Sequence, residues 1–296
     1  MFPAYPNTSE IRLEHRPFLH PMFHALHDGI SEFTFANIYL FRQSHNYRLT
    51  QVADGTLVLL GRDDDIPFFM LPFALPEPKI LAQLFEDQGM MKAASASQQQ
   101  QLVDLGYRVL PDRDNFDYLY NRQDLAVLRG RNYHKKRNLV KAFITNHNYE
   151  ARPLREEYVD DAIKVLDQWR ANLGRDGDYA AAREALELID ELVLCGGIYY
   201  VDKKPVAYAL GEELGNVASY LIHFEKAVTG YKGLYQFINK SFASVLPEDY
   251  ETINREQDLG DQGLRQAKLS YKPAGFIEKF KVYPMDTGGP SDTSGL

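Results

Sequence analysis

The chain has a single cysteine, Cys195, among 296 residues. One thiol cannot close an intramolecular disulfide or anchor a cysteine-rich metal site, so neither organises this fold. Its neighbours Leu192, Val193 and Leu194 predict a buried, inert thiol. Net positive charge is also missing. The 33 Lys and Arg stand against 41 Asp and Glu, a formal charge of −8, which excludes coating nucleic acid or membrane through a bulk field. No apolar run approaches the roughly 18 residues that a membrane helix needs. The opening MFPAYPNTSEIRLEHRP lacks the basic start and apolar stretch of a secretion signal, so a cytoplasmic protein is expected. No P-loop, dinucleotide fingerprint, His-Glu-x-x-His or nucleophile elbow occurs.

What is present is an ordinary globular composition, 45% hydrophobic and 25% charged, with 19 Tyr and 17 Phe suited to sheet faces and filled cores. A chain of this length predicts one large or two medium domains. A short helix is expected over 17–29, carrying His20, His24 and His27. They have no completing ligand set, so they read as surface or packing histidines and no metal site is expected. Extended structure is expected over 33–41. Strands at 47–52 and 56–60 flank an Ala53-Asp54-Gly55 hairpin, and another strand covers 67–73. Helices follow over 78–88 and 97–105, the second capped by Ser97, then strands at 107–110 and 115–120.

The chain then becomes basic. Arg129, Arg131, Lys135, Lys136, Arg137 and Lys141 fall together with no acidic residue between them, on a helix expected over 133–144. In a chain of negative net charge such a segment is a local sink for phosphates. Beyond it, a strand at 149–154 and helices at 156–172 and 179–194 lead to a hairpin of 198–201 and 206–210. A strand at 219–224, a glycine turn at 230–233, a helix over 234–245, a short strand at 252–253 and a last one within 275–283 complete the order.

The densest polar stretch is ETINREQDLGDQGLRQAKLSYKP, residues 251 to 273. A strand end that delivers charged side chains into a glycine turn and a helix start is a common way to build a site on a sheet.

Two blocks about 110 residues apart carry a resemblance. Lys135-Lys136-Arg137-Asn138 with Phe143 is the first. Asn254, Glu256, Asp258 and Gly260, followed by Gly263-Leu264-Arg265, Lys268, Ser270-Tyr271 and Pro273, is the second. Together they resemble the C-terminal domain of bacterial phosphatidylglycerol lysyltransferases and their stand-alone relatives of unassigned function. The element order of the second half also resembles the Gcn5-related N-acyltransferase fold, with the strand at 219–225 and the one ending at Ile253 as its splayed central pair.

The resemblance implies an α+β protein of two tandem acyl-CoA N-acyltransferase-like domains, each a mixed, mainly antiparallel sheet flanked by helices. The expected boundaries are an N-terminal domain over 1–130, a basic connecting helix over 131–147, a C-terminal domain carrying the site over 148–284, and a mobile tail over 285–296. The implied function is acyl or aminoacyl transfer to an amine or hydroxyl of an unidentified small-molecule or peptide acceptor. A ligand-binding or sensor protein on the same scaffold is the alternative. The full lysyltransferases carry a large membrane domain that this sequence does not show.

Transfer from an activated donor needs a base and donors for the oxyanion, and no required cofactor. Coenzyme A users of this fold cradle pyrophosphate on a Gln/Arg-x-x-Gly-x-Gly/Ala turn at a helix start. The turn from Val228 to Leu234 fits no register of that pattern, since Ala227 and Lys232, or Gly230 and Tyr235, occupy its key positions. That argues against coenzyme A, and the resemblance, which extends to the peptidoglycan-building aminoacyl transferases that use charged tRNA, implies aminoacyl-tRNA as the expected donor, with acyl-CoA as the second choice. Lys135, Lys136, Arg137 and Asn138 are expected to meet the tRNA acceptor end. Glu256 or Asp258 is assigned as base or ammonium recogniser and Tyr271 as proton donor to the leaving group. Asn254, Arg265 and Lys268 are assigned to substrate binding, the last two through phosphate or carboxylate. The same polar groups could instead cap and pin the turn, and His223 with Glu225 offers another place for a base.

Overall fold

A computed structural model describes residues 2–285; the tail expected to be mobile lies outside the described residues beyond Met285. The first half runs β1 (Ser9–Glu10), α1 (Arg16–His24), α2 (Phe35–Leu40), β2 (Arg48–Gln51), β3 (Leu57–Asp63), β4 (Ile66–Met70), α3 (Pro78–Gln88), β5 (Met91–Ser95), α4 (Ala96–Asp104), β6 (Tyr107–Pro111), β7 (Asp117–Asn121) and α5 (Arg122–Val127). After α6 (His134–Asn146) come β8 (Tyr149–Pro153), α7 (Val159–Leu173), α8 (Tyr179–Glu187), β9 (Cys195–Val201), β10 (Lys204–Leu214), β11 (Ser219–Ala227), α9 (Leu234–Val245), β12 (Thr252–Asn254), α10 (Gln262–Leu269), β13 (Gly275–Ile277) and β14 (Lys279–Pro284).

These strands form two seven-stranded sheets, β1-β2-β3-β4-β5-β14-β6 and β13-β7-β12-β11-β10-β9-β8. Every strand pair is antiparallel except β4 with β5 and β11 with β12. This is the expected α+β architecture of two mixed, mainly antiparallel sheets flanked by helices. The sheets also exchange strands across the chain order. β7, from the first 130 residues, pairs with β12 and β13 in the second sheet, and the final β14 inserts between β5 and β6 of the first. At the crossing, buried Lys279 donates to Asp117 Oδ1 at 2.7 Å and also pairs with Glu32. One apolar cluster runs from Phe35 and Tyr118 through Phe143 to Phe224 and Phe242, so the halves share a core. A second packs α3 and α4 on the first sheet through Leu81, Phe85, Leu102 and Phe280.

Local chemistry explains most elements. Asp202 and Lys203, both with positive φ (48° and 64°), close the β9–β10 hairpin as a two-residue turn. Gly211 sits at a register shift where an added Cβ would lie 1.9 Å from the Leu221 carbonyl, so only glycine fits. Pro78 opens α3, and Gly89 (φ +75°) ends it.

Four expectations need correction. Residues 33–41 contain helix α2, not extended chain. Thr34 Oγ1 caps it through the Asn37 N–H, and all six helical residues are buried, so no polar face betrays the helical period. The cap of α4 is Ser95, which forms a reciprocal capping box with Gln98, and not Ser97. The second helix after the Gly174 break stops at Glu187, well short of 194. Cys195 is exposed, because β9 begins there and its backbone carbonyl is what faces inward, accepting from Tyr220 Oη at 2.7 Å.

Candidate functional site

The site begins where two central strands part. β11 and β12 pair in parallel only from Ser219/Thr252 to Leu221/Asn254. β11 then continues to Ala227, while the other chain swings toward β7, with Arg255 N bonding Tyr118 O and Tyr118 N bonding Glu256 O. Glu256 makes that swing with φ +54°. The gap opens into a cleft of about 1030 Å³ between the halves, walled by Phe41, His45 and Lys92 on one side and by Trp169, His223 and Lys226 on the other.

At its floor a histidine joins two carboxylates. His223 is fully buried, with Nδ1 2.8 Å from Glu256 Oε1 and Nε2 2.9 Å from Glu212 Oε1. Burial alone would push its pKa down, but the bonds to Glu212 and Glu256 outweigh it and hold it up at about 10. An imidazolium donates at both nitrogens, which this arrangement requires.

The stretch 254–271 wraps round this floor, and most of its polar groups are spoken for. Asn254 is buried; Nδ2 donates to Gly29 O and Asp117 Oδ2, and Oδ1 accepts from Glu256 N at 2.8 Å. Asp258, also fully buried, accepts from Tyr118 Oη (2.6 Å), from Arg265 Nε (2.9 Å) and Nη2 (2.7 Å), from Arg113 Nη1 (3.3 Å) and from Gly260 N (2.9 Å). Burial raises its pKa, yet the bonds from Arg265 and Tyr118 prevail and hold it well below the usual carboxylate range. Arg265 also reaches Asp114 Oδ1 at 2.7 Å. Lys268 Nζ donates to the Arg255, Glu256 and Gln257 carbonyls, using every N–H of an ammonium. Burial, and then Arg255, push its pKa down to about 8.

Tyr271 is buried beneath the basic helix. Lys136 Nζ lies 3.9 Å from the centre of its ring and donates to Ser270 Oγ at 2.7 Å, while the Arg255 guanidinium is 5.5 Å from the same ring. Burial raises the Tyr271 phenol and, with Arg255 second, lowers Lys136. Arg137 turns back to the Leu128 and Gly130 carbonyls. Lys135 and Asn138 are exposed, as are Arg129, Arg131 and Lys141, and among the described residues none of these cations has an acidic partner within ion-pair distance.

Of the residues singled out from sequence, Glu256, Asp258, Lys268, Tyr271 and Lys136 line the cleft. Asn254 and Arg265 stand behind it, Arg137 pins a loop, and Lys135 and Asn138 face outward. Sequence reasoning missed the contribution of the first half. His45 Nδ1 lies 2.6 Å from Asp63 Oδ1, and Lys92 holds the other Asp63 oxygen. Three residues spread over β2, β3 and β5 and their loops leave no linear motif. It also passed over Arg255, which is buried and pairs with Glu225 Oε1 at 3.1 Å, and Lys226, whose Nζ reaches both Asp178 oxygens at 2.6 and 2.7 Å over the Trp169 ring.

The glycine turn before α9 has a packing role. Gly233, at φ +88°, caps the helix, and a Cβ there would lie 2.1 Å from the Leu139 carbonyl of α6. Among the described residues no group of His, Cys, Asp and Glu is arranged to hold a metal ion, and no helix is long and apolar enough to cross a membrane.

A family profile described as phosphatidylglycerol lysyltransferase, C-terminal, matches residues 23–283. A conserved protein of unknown function from Bacteroides thetaiotaomicron is 28% identical, with a TM-score of 0.85 over 96% of this chain and 100% of that one. The C-terminal domain of a putative lysylphosphatidylglycerol synthetase from Agrobacterium fabrum is 13% identical, with a TM-score of 0.65 over 92% and 91% of the two chains. An uncharacterized protein of Mycoplasmoides gallisepticum is 24% identical over 173 residues, 56% of this chain and only 55% of that relative's length. The fold shared with the two solved structures is the α+β arrangement of two mixed, mainly antiparallel sheets flanked by helices.

Proposed function

The chain belongs to the phosphatidylglycerol lysyltransferase C-terminal family, and from that premise we propose that it is an aminoacyl transferase. It takes an activated acyl group from aminoacyl-tRNA and passes it to an amine or hydroxyl of a small acceptor. The observation that carries this reading is the continuity between the cleft and the basic helix. Lys136 lines the cleft, while Arg129, Arg131, Lys135 and Lys141 of the same segment are exposed and unpaired with any acid among the described residues. A nucleic-acid end laid on the outer cations would deliver its terminal ester past Lys136 into the gap between β11 and β12.

The α9 turn supports this donor over coenzyme A. Gly233 is occupied in admitting the α6 backbone, so its place in the turn serves helix packing. In this reading Asn254, Asp258, Arg265 and Lys268 hold the turn, because each spends its donors or lone pairs on it. Glu256, Tyr271 and Lys136 meet the donor. Positioning in a cleft of this kind supplies much of the acceleration for an ester that is already activated.

The test is equilibrium binding of pooled aminoacyl-tRNA to wild type and to Arg131→Glu/Lys135→Glu at several salt concentrations. Each phosphate contact contributes roughly 0.7 to 0.9 to the slope of log affinity against log salt. The double variant is expected to bind more weakly and with a slope shallower by up to about twice that. Equal, salt-insensitive affinities refute the donor assignment. Binding without transfer to any acceptor favours a sensor.

A further inference from the structure

The first half brings to the cleft an oriented ring nitrogen that has no partner among the described residues. We infer that His45 Nε2 is the base of the transfer, oriented by Asp63; this rests on the transferase reading above. His45 lies in the loop between α2 and β2, its side chain 35% exposed and lining the cleft. Nδ1 faces Asp63 Oδ1 at 2.6 Å, and Lys92 occupies Asp63 Oδ2. Burial raises the Asp63 carboxyl, but its bonds to His45 and Lys92 hold it down at about 2, so it is an acceptor only. The hydrogen between them therefore sits on Nδ1, and in the neutral ring Nε2 carries the lone pair.

Nothing among the described residues bonds Nε2. The ring stacks on Tyr47 at 5.1 Å and approaches Phe41 at 6.3 Å. Phe41 in turn meets Phe224 of β11 at 6.4 Å, next to His223, so His45 stands across a single aromatic ring from the parted strands. The charged or titratable groups that face it are Asp63 on β3, Lys92 on β5 and Tyr47 beside β2; α2 and β11 present only Phe41 and Phe224.

Asp258 has both oxygens bonded, and Glu256 Oε1 takes His223 and lies 3.5 Å from Asn37 Nδ2, which leaves only its Oε2 without a partner among the described residues. Glu225 Oε2 has no partner, but the atom is enclosed and its carboxylate is paired with Arg255. Among these groups His45 is the one that offers the cleft a free nitrogen lone pair oriented by a carboxylate.

The step balances as follows. The acceptor O–H or N–H gives its proton to His45 Nε2 as the acceptor lone pair forms the new bond to the acyl carbon. The ester C–O bond of the donor then breaks, its electron pair leaves on the tRNA oxygen, and the imidazolium returns the proton there. An orienting carboxylate with a histidine base is a general solution to such proton transfers.

The test is single-turnover deacylation of pooled radiolabelled aminoacyl-tRNA, with water and glycerol as acceptors, in wild type, His45→Gln, His45→Ala and Asp63→Asn. Melting temperature and tRNA affinity are measured alongside. His45→Gln is expected to slow turnover about 100-fold or more at unchanged affinity and to flatten the acid side of the pH profile. Asp63→Asn is expected to fall between, and added imidazole to restore part of the rate to His45→Ala. Variants with wild-type rates and pH profile overturn the His45 assignment and leave the transferase reading intact. A loss that tracks a lowered melting temperature without imidazole rescue overturns it too, as packing. A wild type that binds tRNA but accelerates nothing refutes the transferase reading, and this inference falls with it.

Discussion

Replacing Asp258 by Asn separates scaffold from chemistry in the 254–271 stretch. The change keeps the side chain's shape and removes its charge from the centre of a buried cluster. Asp258 accepts from both Arg265 nitrogens, from Tyr118 Oη and from Gly260 N. An amide offers one acceptor oxygen where the carboxylate had two, and turns an N–H₂ toward Arg265 or Tyr118. Breaking a buried ion pair by neutralising one partner costs about 3–5 kcal/mol. Arg265 is 21% exposed and keeps its bond to Asp114, so the lower end, about 3 kcal/mol, applies. For domains of 150–250 residues each kcal/mol moves the melting temperature by roughly 2–4 °C. The expected loss is therefore roughly 6–12 °C at pH 7, read by circular dichroism.

The pH dependence gives a second check. The folded carboxyl is held below its unfolded value of about 3.9, so its stabilisation is present above that pH and lost as pH falls. The gap between wild type and variant should close in acid. An Asp258→Asn protein that melts with the wild type at pH 7 yet transfers nothing would show that Asp258 takes part in the reaction, and would refute the scaffold argument.

His223 titrates in the opposite sense. Its folded pKa of about 10 lies above the unfolded value of about 6.5, so the stabilisation it supplies is complete below pH 6.5 and is lost as pH rises toward 10. Thermal melts of His223→Gln should lack this alkaline decline, which amounts to a few kcal/mol in order of magnitude; parallel wild-type and variant curves would dismiss it. Gly233→Ala should destabilise by about 2 kcal/mol or more, since it strains a left-handed residue and drives a methyl into the Leu139 carbonyl; an unchanged melting temperature would mean that α6 yields freely. Cys195, exposed at the start of β9, should react with one equivalent of a thiol-specific disulfide reagent in the native protein, and protection until unfolding would contradict its placement.

Much of the fold was legible along the chain because its signals are local. The Asp54-Gly55 hairpin, the Pro78 and Gly89 limits of α3, and the apolar period of α7 and α9 each depend on neighbours within a few residues. The family blocks at 135–143 and 254–273 likewise mark real architecture, since Lys136 of α6 bonds Ser270 at the C-terminal end of α10. Helix α2 was illegible because a helix buried on all sides has no polar face to set its period. Cys195 was misread because apolar neighbours in sequence do not show which way a strand's first side chain points.

What sequence alone determined is therefore the place of most strands and helices, the α+β class and the existence of a polar turn after β12. What only the tertiary structure decided is which of those polar groups are free. Charge and spacing treat Asp258, Arg265, Lys268 and Glu256 alike as candidates, yet Asp258, Arg265 and Lys268 spend their hydrogen bonds on one another, on Asp114 and Tyr118, and on the backbone. A free acceptor outside that stretch, His45, comes from a distant segment that joins the same cleft only in the folded chain. Hydrogen-bond capacity is spent in three dimensions, and a linear pattern cannot show where it has gone.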